Sequence, residues 1–193
     1  MVKFQCINLV TLKYEETYKA GYVYDEFEKN MALPTIQQFL SFFEEVDLPL
    51  VLTEEMTHTF DRHAKPLPAQ LIEAYIVVAD EGSIDEFTEY IPCFKLPIED
   101  DYFAVVYLKA GLLSYAYHLV TYSEKGEVID HANLGGIESK GNLIRRSVTQ
   151  ISADLIISIL QGVADKEEKV YDSSKSTATY YELLPNGVLV RSE

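Results

Sequence analysis

The sequence predicts an α+β fold, in which a mainly helical N-terminal part packs on an antiparallel β-meander. Apolar residues recur at helical intervals before about residue 90, whereas short runs rich in Val, Ile and Tyr follow it. The sequence has no Pro-, Gly- or Ser-rich linker between the two parts. We therefore expect one domain over residues 1–193, with residues 1–90 mainly helical and residues 91–193 forming the meander.

Helices are predicted at three places in the first part. Thr35 and Gln38 have the spacing of a capping box and begin a helix over residues 35–46. Its apolar stripe, which should be buried, is Ile36, Phe39, Leu40 and Phe43. A second helix begins near Pro68, and its stripe is Ile72, Tyr75, Ile76 and Ala79. The stretch "TEEMTHTFDRHA" predicts a short helix between them, and residues 1–33 fit an interrupted helix or a strand pair.

Strands are predicted in the second part, because short β-prone runs alternate there with turn-forming stretches such as "SEKGE", "ESKGN" and "SADL". Gly126 and Gly141 occupy similar settings 15 residues apart, which indicates successive hairpins. A longer polar loop, "ADKEEKVYDSSKS", precedes the last hairpin. The predicted strands are "YFAVVYLKA", "LLSYAYHLVTY", "EVIDHANL", "NLIRRSVTQI", "LIISILQG", "TATYYELL" and "VLVRS".

Two of the four histidines, His118 and His131, flank the turn "SEKG". If Gly126 takes the left-handed position of a three-residue loop, Ser123 opposes Glu127 and the two imidazoles lie on opposite faces of the sheet. This is the arrangement that we expect. A four-residue loop would instead place His118 directly opposite His131, where the pair could share a metal ion or a proton.

The net charge of -15 is unevenly distributed along the chain. Up to residue 101 there are 20 acidic residues against 7 basic ones. Binding to nucleic acid or to an anionic membrane surface would act against this field, because both need clustered cations. The charge favours a cationic protein partner, although an acidic surface can also serve solubility alone.

An acidic run over residues 80–90, together with residues 98–101, is the predicted contact site for such a partner. Ser83 and Glu86 have capping-box spacing, so part of this charge can also stabilise a short helix. If the run binds a partner, its carboxylates should converge on one face beside exposed aromatic residues. The predicted partner-binding residues are Asp80, Glu81, Asp85, Glu86, Phe87, Glu89, Tyr90, Glu99, Asp100 and Asp101.

Enzymatic signatures are absent from the sequence, which has no GxSxG elbow, no GxxxxGK[ST] phosphate loop and no GxGxxG after a strand. His58 and His63 are five positions apart, which is not the i, i+4 spacing of two metal ligands on one helix face. Arg145 and Arg146 are neighbours on a strand and point to opposite faces, so they do not form one anion clamp. We therefore assign no catalytic residue, no metal ligand and no cofactor.

Cysteine usage and the N-terminal residues bear on the cellular compartment. Cys6 and Cys93 lie 87 positions apart without a metal-binding motif, which favours two reduced, packed thiols. The N-terminal residues do not combine a basic segment with a continuous apolar run, and no stretch reaches roughly 18 apolar residues. We expect a protein of the cytoplasm that does not bind membranes.

Two resemblances add to these observations. The runs "YAYHLVTYSEKGEVIDHANLGG", "IRRSVTQISADLIISILQG" and "STATYYELLPNGVL" resemble the C-terminal β-region of uncharacterised bacterial proteins with the pattern LVTY-x3-G-x-(V/I)-ID. This resemblance covers roughly residues 100–190 and implies a fold, with no catalytic residues to carry over. The run "PLPAQLIEAYIVVADEG" is similar to the LPxxxxxFL helix and acidic turn of immunity proteins of the SUKH superfamily.

Charge, missing enzymatic motifs and the second resemblance lead to one functional expectation. We expect a non-enzymatic acidic module that binds another protein, in the way that an immunity protein neutralises a basic toxin domain. The alternative is a hydrolase or metal-dependent enzyme whose site gathers dispersed carboxylates and histidines only in the fold.

Overall fold

A computed structural model of the chain describes residues 34–80, 87–165 and 171–192. These residues belong to one compact unit. The predictions for residues 1–33, which include Cys6 and the helical character of that segment, lie outside the described residues. The single domain over residues 1–193 therefore stays a prediction where it concerns them.

The described residues form three short helical segments and ten strands. The helices are α1, Ile36–Leu40; α2, Glu54–His63; and α3, Ala69–Leu71, which continues as a π-helical turn, Ile72–Ile76, and a 3-10 turn, Val77–Ala79. The first five strands are β1, Glu44–Glu45; β2, Leu50–Leu52; β3, Glu89–Lys95; β4, Tyr102–Gly111; and β5, Ser114–Ser123. The others are β6, Val128–Lys140; β7, Leu143–Ile151; β8, Ile156–Asp165; β9, Tyr171–Leu183; and β10, Leu189–Ser192.

Helix α1 begins as predicted but ends earlier than predicted. The Thr35 hydroxyl accepts from the backbone N–H of Gln38, and the Gln38 side chain accepts from the backbone N–H of Thr35, so the capping box is present. The helix stops at Leu40, because Glu44 and Glu45 pair as a parallel strand with the end of β3. Tertiary strand pairing thus overrides the helical pattern of residues 41–46. The predicted burial holds for Ile36, Phe39 and Phe43, whereas Leu40 is half-buried.

In residues 34–80 and 87–90, the described part of the range predicted to be mainly helical, strands interrupt the helices, so a mainly helical part is not shown. Strands β1 and β2 lie within this range, and the helices between residues 34 and 80 are short. The short helix predicted from "TEEMTHTFDRHA" is confirmed as α2. The second predicted stripe is also confirmed, because Tyr75, Ile76 and Ala79 are buried and Ile72 is half-buried.

The predicted antiparallel meander is confirmed. Strands β3 to β10 pair with their neighbours in chain order, each pair antiparallel. Strand β2 pairs antiparallel with β7, and β1 pairs parallel with β3 at one edge. Part of the predicted polar loop, from Tyr171 onward, extends β9 instead.

The sheet folds back on itself within β6. This strand pairs with β5 along most of its length but with β7 only through residues 137–140, so its first part separates from β7. Side chains from both halves then enclose one core, in which Phe94, Leu119 and Leu134 of the first half meet Ile151 and Ile157 of the second. The contact between these side chains excludes water from this core.

A second core lies on the other face of β4 and β5, where α1 and the α3 segment cover it. Phe39 of α1 stacks on Tyr75 of the α3 segment with ring centroids 4.9 Å apart. The buried hydroxyl of Tyr122 donates to the Tyr75 carbonyl, and the Tyr75 hydroxyl donates to the Pro34 carbonyl at 2.7 Å. The 3-10 turn that ends the α3 segment lies beside β4 and β5, where Ala79 and the following Asp80 line a cavity.

Candidate functional site

The hairpin between β5 and β6 has the three-residue loop that the sequence predicts. The Ser123 N–H donates to the Glu127 carbonyl at 2.9 Å, and Gly126 has a φ of +83°. Tyr122 pairs with Val128, the next pair in the predicted register. The turn residues therefore determine the start of this hairpin.

The faces of the sheet on which the two histidines lie nevertheless differ from the prediction. A β-bulge follows Val128, because Thr121 pairs with Asp130 and leaves Ile129 without a direct partner on β5. His131 then lies opposite Val120. A shift of one residue moves every later side chain to the other face.

His118 and His131 consequently share one face of the sheet, and the expectation of opposite faces is wrong. His118 pairs with Asn133, two positions further along β6 than His131. The two imidazoles are diagonal neighbours, and both line the same cavity. The bulge brings the two histidines to one face, and not the four-residue loop that the sequence left open.

A buried ion pair lies in the wall of this cavity. Asp80 follows the 3-10 turn, and its carboxylate lies 2.7 Å from the ammonium of Lys109 on β4. The side chain of Asp80 is 2% exposed and that of Lys109 is 15% exposed. The Tyr90 hydroxyl donates to the same carboxylate at 2.5 Å. Burial and the neighbouring Asp80 carboxylate raise the pKa of Tyr90, so its hydroxyl keeps its proton.

His118 lies next to this ion pair on the same face of the sheet. Its imidazole stacks on the Tyr107 ring, with centroids 5.4 Å apart and planes inclined by 6°. Burial lowers the pKa of His118 to about 4. Asp80 acts in the opposite direction, whereas Lys109 and His131 lower it further. The imidazole is therefore uncharged at neutral pH.

The cavity is open and has a volume of about 600 Å³. A second ion pair, between Glu138 of β6 and Arg145 of β7 at 3.0 Å, also lines the cavity. The two groups are about half exposed. The described lining of the cavity also includes Ser114, Tyr115, Asn133, Ser147, Gln161 and Tyr181.

The depressed pKa of His118 gives the protein an expected pH dependence. The imidazole binds a proton below about pH 6.5 in the unfolded chain but only near pH 4 in the folded one. Stability is therefore fully present above pH 6.5 and is lost as the pH falls toward 4, by an amount on the order of 3 kcal/mol. We expect His118→Gln to flatten the fall in the free energy of unfolding over this range, measured by urea denaturation.

Both proteins should also be compared at pH 7.5, where this imidazole is uncharged in both states. That comparison measures the cost of His118→Gln that does not depend on pH. Equal pH slopes in the two proteins would contradict the buried, neutral state of His118.

The predicted partner-binding residues are not gathered on one surface in the described part of the chain. Asp80 and Tyr90 are buried against each other and do not offer surface contacts. Phe87 and Glu89 are exposed, as are Glu99, Asp100 and Asp101. Glu81, Asp85 and Glu86 lie outside the described residues.

The exposed members lie at opposite ends of β3. Glu89 begins this strand, whereas Glu99, Asp100 and Asp101 belong to the loop that follows it. Seven residues at about 3.3 Å each separate the two groups by roughly 20 Å. The length of β3 therefore separates the described members of the acidic run from the second acidic group, and the binding role of these residues stays a prediction.

Sequence reasoning missed the cavity and most of its residues. Lys109 and Asp80 are 29 positions apart, and no motif connects them. The Gly135–Gly136 pair was the available signal, because glycines inside a strand often mark a bulge, and the pair follows the second register shift of β6. Arg145 and Arg146 bind different carboxylates, Glu138 and Glu54, which agrees with the expectation that they form no joint clamp.

Comparison with protein-family models, with curated proteins and with solved structures found no match for the chain. Within the described residues, no group of three or more His, Cys, Asp or Glu side chains is arranged to hold a metal ion. None of the helices in residues 34–80, 87–165 and 171–192 is long and apolar enough to span a membrane. Cys93 is a buried free thiol whose pKa is raised by burial.

Proposed function

We propose that the chain is an acidic protein-binding module whose contact surface is the solvent-facing side of strands β2, β7, β8 and β9. We call the outer sheet face the surface formed by Val51, Val148, Gln150, Ser158, Leu160, Ala178 and Tyr180. These residues belong to β2, β7, β8 and β9 and surround a shallow depression of about 280 Å³.

The observation that carries the proposal is the apolar character of this exposed face. Along β7 the side chains alternate, with Ser147, Thr149 and Ile151 buried and Val148 and Gln150 exposed. An antiparallel sheet with one solvated face normally carries polar residues on it. Here the exposed positions include several large apolar side chains instead: Val51 at 44%, Val148 at 47%, Leu160 at 54% and Tyr180 at 42%.

The strand register places these side chains next to one another. Val148 pairs with Leu160, and Leu160 pairs with Ala178, so three apolar positions cross three strands in one row. Arg146, which is paired with Glu54, and Glu182 add charges nearby along β7 and β9. An apolar centre with charged groups at its edge is the usual composition of a protein interface.

A cationic protein is the partner that the chain's charge favours. The net charge of -15 would accelerate its association and would make that association sensitive to salt. A cytoplasmic immunity-type protein that neutralises a basic toxin domain would have these properties. The acidic residues act in this proposal through the long-range field, and the outer sheet face supplies the short-range contacts.

The proposal is tested by capture from native lysate with the wild-type chain, with the double variant Val148→Ser, Leu160→Ser, and with the double variant Leu112→Ser, Leu113→Ser. The last pair is a matched control, because both leucines are exposed in the turn between β4 and β5. We expect a basic protein to bind the wild type and the control, less at high salt. The outer-face variant should bind the purified partner about tenfold more weakly or worse.

Two results would contradict the proposal. One is the recovery of no basic protein at either salt concentration. The other is equal affinity of a recovered partner for all three proteins, which would remove the outer sheet face from the interface.

The enzymatic alternative has one observation in its favour, which is the placement of His118 and His131 in one cavity beside Asp80. The carboxylate of Asp80 already contacts Lys109 and Tyr90. A hydrolase that used this site would therefore rely on the imidazoles as its proton-transferring groups. Loss of a measured hydrolytic activity in His131→Gln would favour this alternative.

A further inference from the structure

The cavity between β5, β6 and the end of the α3 segment lies apart from the outer sheet face and has the composition of a small-molecule site. Its volume of about 600 Å³ falls within the range of ligand pockets in proteins. Its described lining contains both ion pairs, both imidazoles, hydroxyl groups and side-chain amides. The chemistry of these groups restricts the class of ligand.

The strong charges of the lining are paired with each other. Lys109 lies 2.7 Å from Asp80, and Arg145 lies 3.0 Å from Glu138. A phosphate or carboxylate ligand would have to compete with these carboxylates for the two cations. The chain's overall negative charge opposes an anion further. A neutral ligand meets neither obstacle.

The uncharged groups of the lining both donate and accept hydrogen bonds. Ser114 and Tyr181 offer hydroxyls, and Asn133 and Gln161 offer amides. The side-chain oxygen Oδ1 of Asn133 accepts from the Gly135 N–H at 2.7 Å, which holds this amide in place. Groups of this kind match ligand hydroxyls, each of which can donate one hydrogen bond and accept others.

Ser147 provides an independent observation. Its hydroxyl is buried and has no hydrogen-bond partner among the described residues, although Ser147 lines the cavity. The hydroxyl oxygen is covered by neighbouring atoms, so a ligand hydroxyl pairs with it only after the side chain turns toward the cavity, and that pairing would recover the free energy that the missing hydrogen bond costs. Tyr115, 46% exposed, adds an aromatic ring on which the apolar C–H face of a sugar ring can stack.

We propose that this cavity binds a neutral, polyhydroxylated ligand of the carbohydrate class. Because the four charged groups of the lining are paired with each other, they offer hydrogen-bond donors and acceptors without favouring an ionic ligand. The hydroxyl of Ser114 and the amides of Asn133 and Gln161 recognise the sugar hydroxyls, and Tyr115 contacts the ring. The site is separate from the proposed protein interface, so the two properties can be tested independently.

Saturation-transfer NMR on the full chain, with glucose, galactose, N-acetylglucosamine and maltose as probes, tests the proposal. We expect transfer to at least one sugar, and an affinity at least tenfold lower in Gln161→Leu, which removes one amide of the lining. Gln150→Leu is the matched control, because it removes an exposed amide from the outer sheet face. That variant should bind the sugar as the wild type does.

Charged probes complete the experiment. Glucuronate and inorganic phosphate should bind at least tenfold more weakly than the best neutral sugar. The proposal is overturned if none of the four sugars receives saturation, if either anion binds as tightly, or if Gln161→Leu retains wild-type affinity. Sugar binding that persists in the double variant Val148→Ser, Leu160→Ser supports two separate sites, whereas its loss there overturns the assignment to the cavity.

Discussion

Replacing Asp80 with asparagine is expected to lower the free energy of unfolding by about 3 to 5 kcal/mol, because the change leaves the Lys109 ammonium buried without its counter-charge. The Asp80 side chain is 2% exposed and that of Lys109 is 15% exposed, so water compensates little. The Tyr90 hydroxyl also loses the carboxylate that accepts its hydrogen bond. Urea denaturation at neutral pH measures the effect.

Asp100→Asn is the matched control, because it makes the same chemical change at an exposed carboxylate in the loop before β4. Its expected effect is within about 0.5 kcal/mol. The double variant Asp80→Asn, Lys109→Met should be more stable than Asp80→Asn alone, since it removes the unpaired charge. A cost for Asp80→Asn as small as that of Asp100→Asn would show that the pair does not stabilise the fold.

Replacing Gly136 with alanine is expected to destabilise the protein by about 3 kcal/mol or more, because the methyl group has no room in the bent part of β6. A Cβ at this position would lie 2.0 Å from the Tyr115 carbonyl oxygen and 3.0 Å from the Ala116 Cα. The residue also has a φ of +150°, which side chains rarely adopt. Strands β5 and β6 would have to separate where they form the cavity wall.

Gly141→Ala separates the steric effect from the effect of backbone conformation. Gly141 has a φ of +59°, and a Cβ there would meet no atom within 4 Å. Its expected cost is about 1 to 2 kcal/mol, the price of the left-handed conformation alone. If chemical denaturation gives Gly136→Ala the smaller cost of the two, the close approach of β6 to β5 does not constrain the fold.

The strands of the second part could be predicted because their signals are local. β-Branched and aromatic residues favour the extended backbone, and Gly126 and Gly141 accept the positive φ that tight turns require. The capping box of Thr35 and Gln38 is local in the same way. Each of these features depends on residues within a few positions of one another.

The end of α1 and the faces of the histidines depend on distant contacts. Helix α1 stops where Glu44 and Glu45 pair with β3, about 50 positions away. The bulge at Ile129 places Asp130 so that its carboxylate accepts from the Leu189 N–H at 2.9 Å, a contact across 59 positions. Thr121 likewise donates to the Gly187 carbonyl at 2.7 Å.

The sequence by itself therefore determined the succession of strands and turns, the buried stripes of the helices and the acidic field, since each follows from local pattern or from composition. Only the tertiary structure decided which side chains meet. One extra residue in β6 brings His118 and His131 to one face, and the packing of the α3 segment on the sheet brings Asp80 to Lys109. Such encounters are set by contacts between residues far apart in the chain, and no local pattern encodes them.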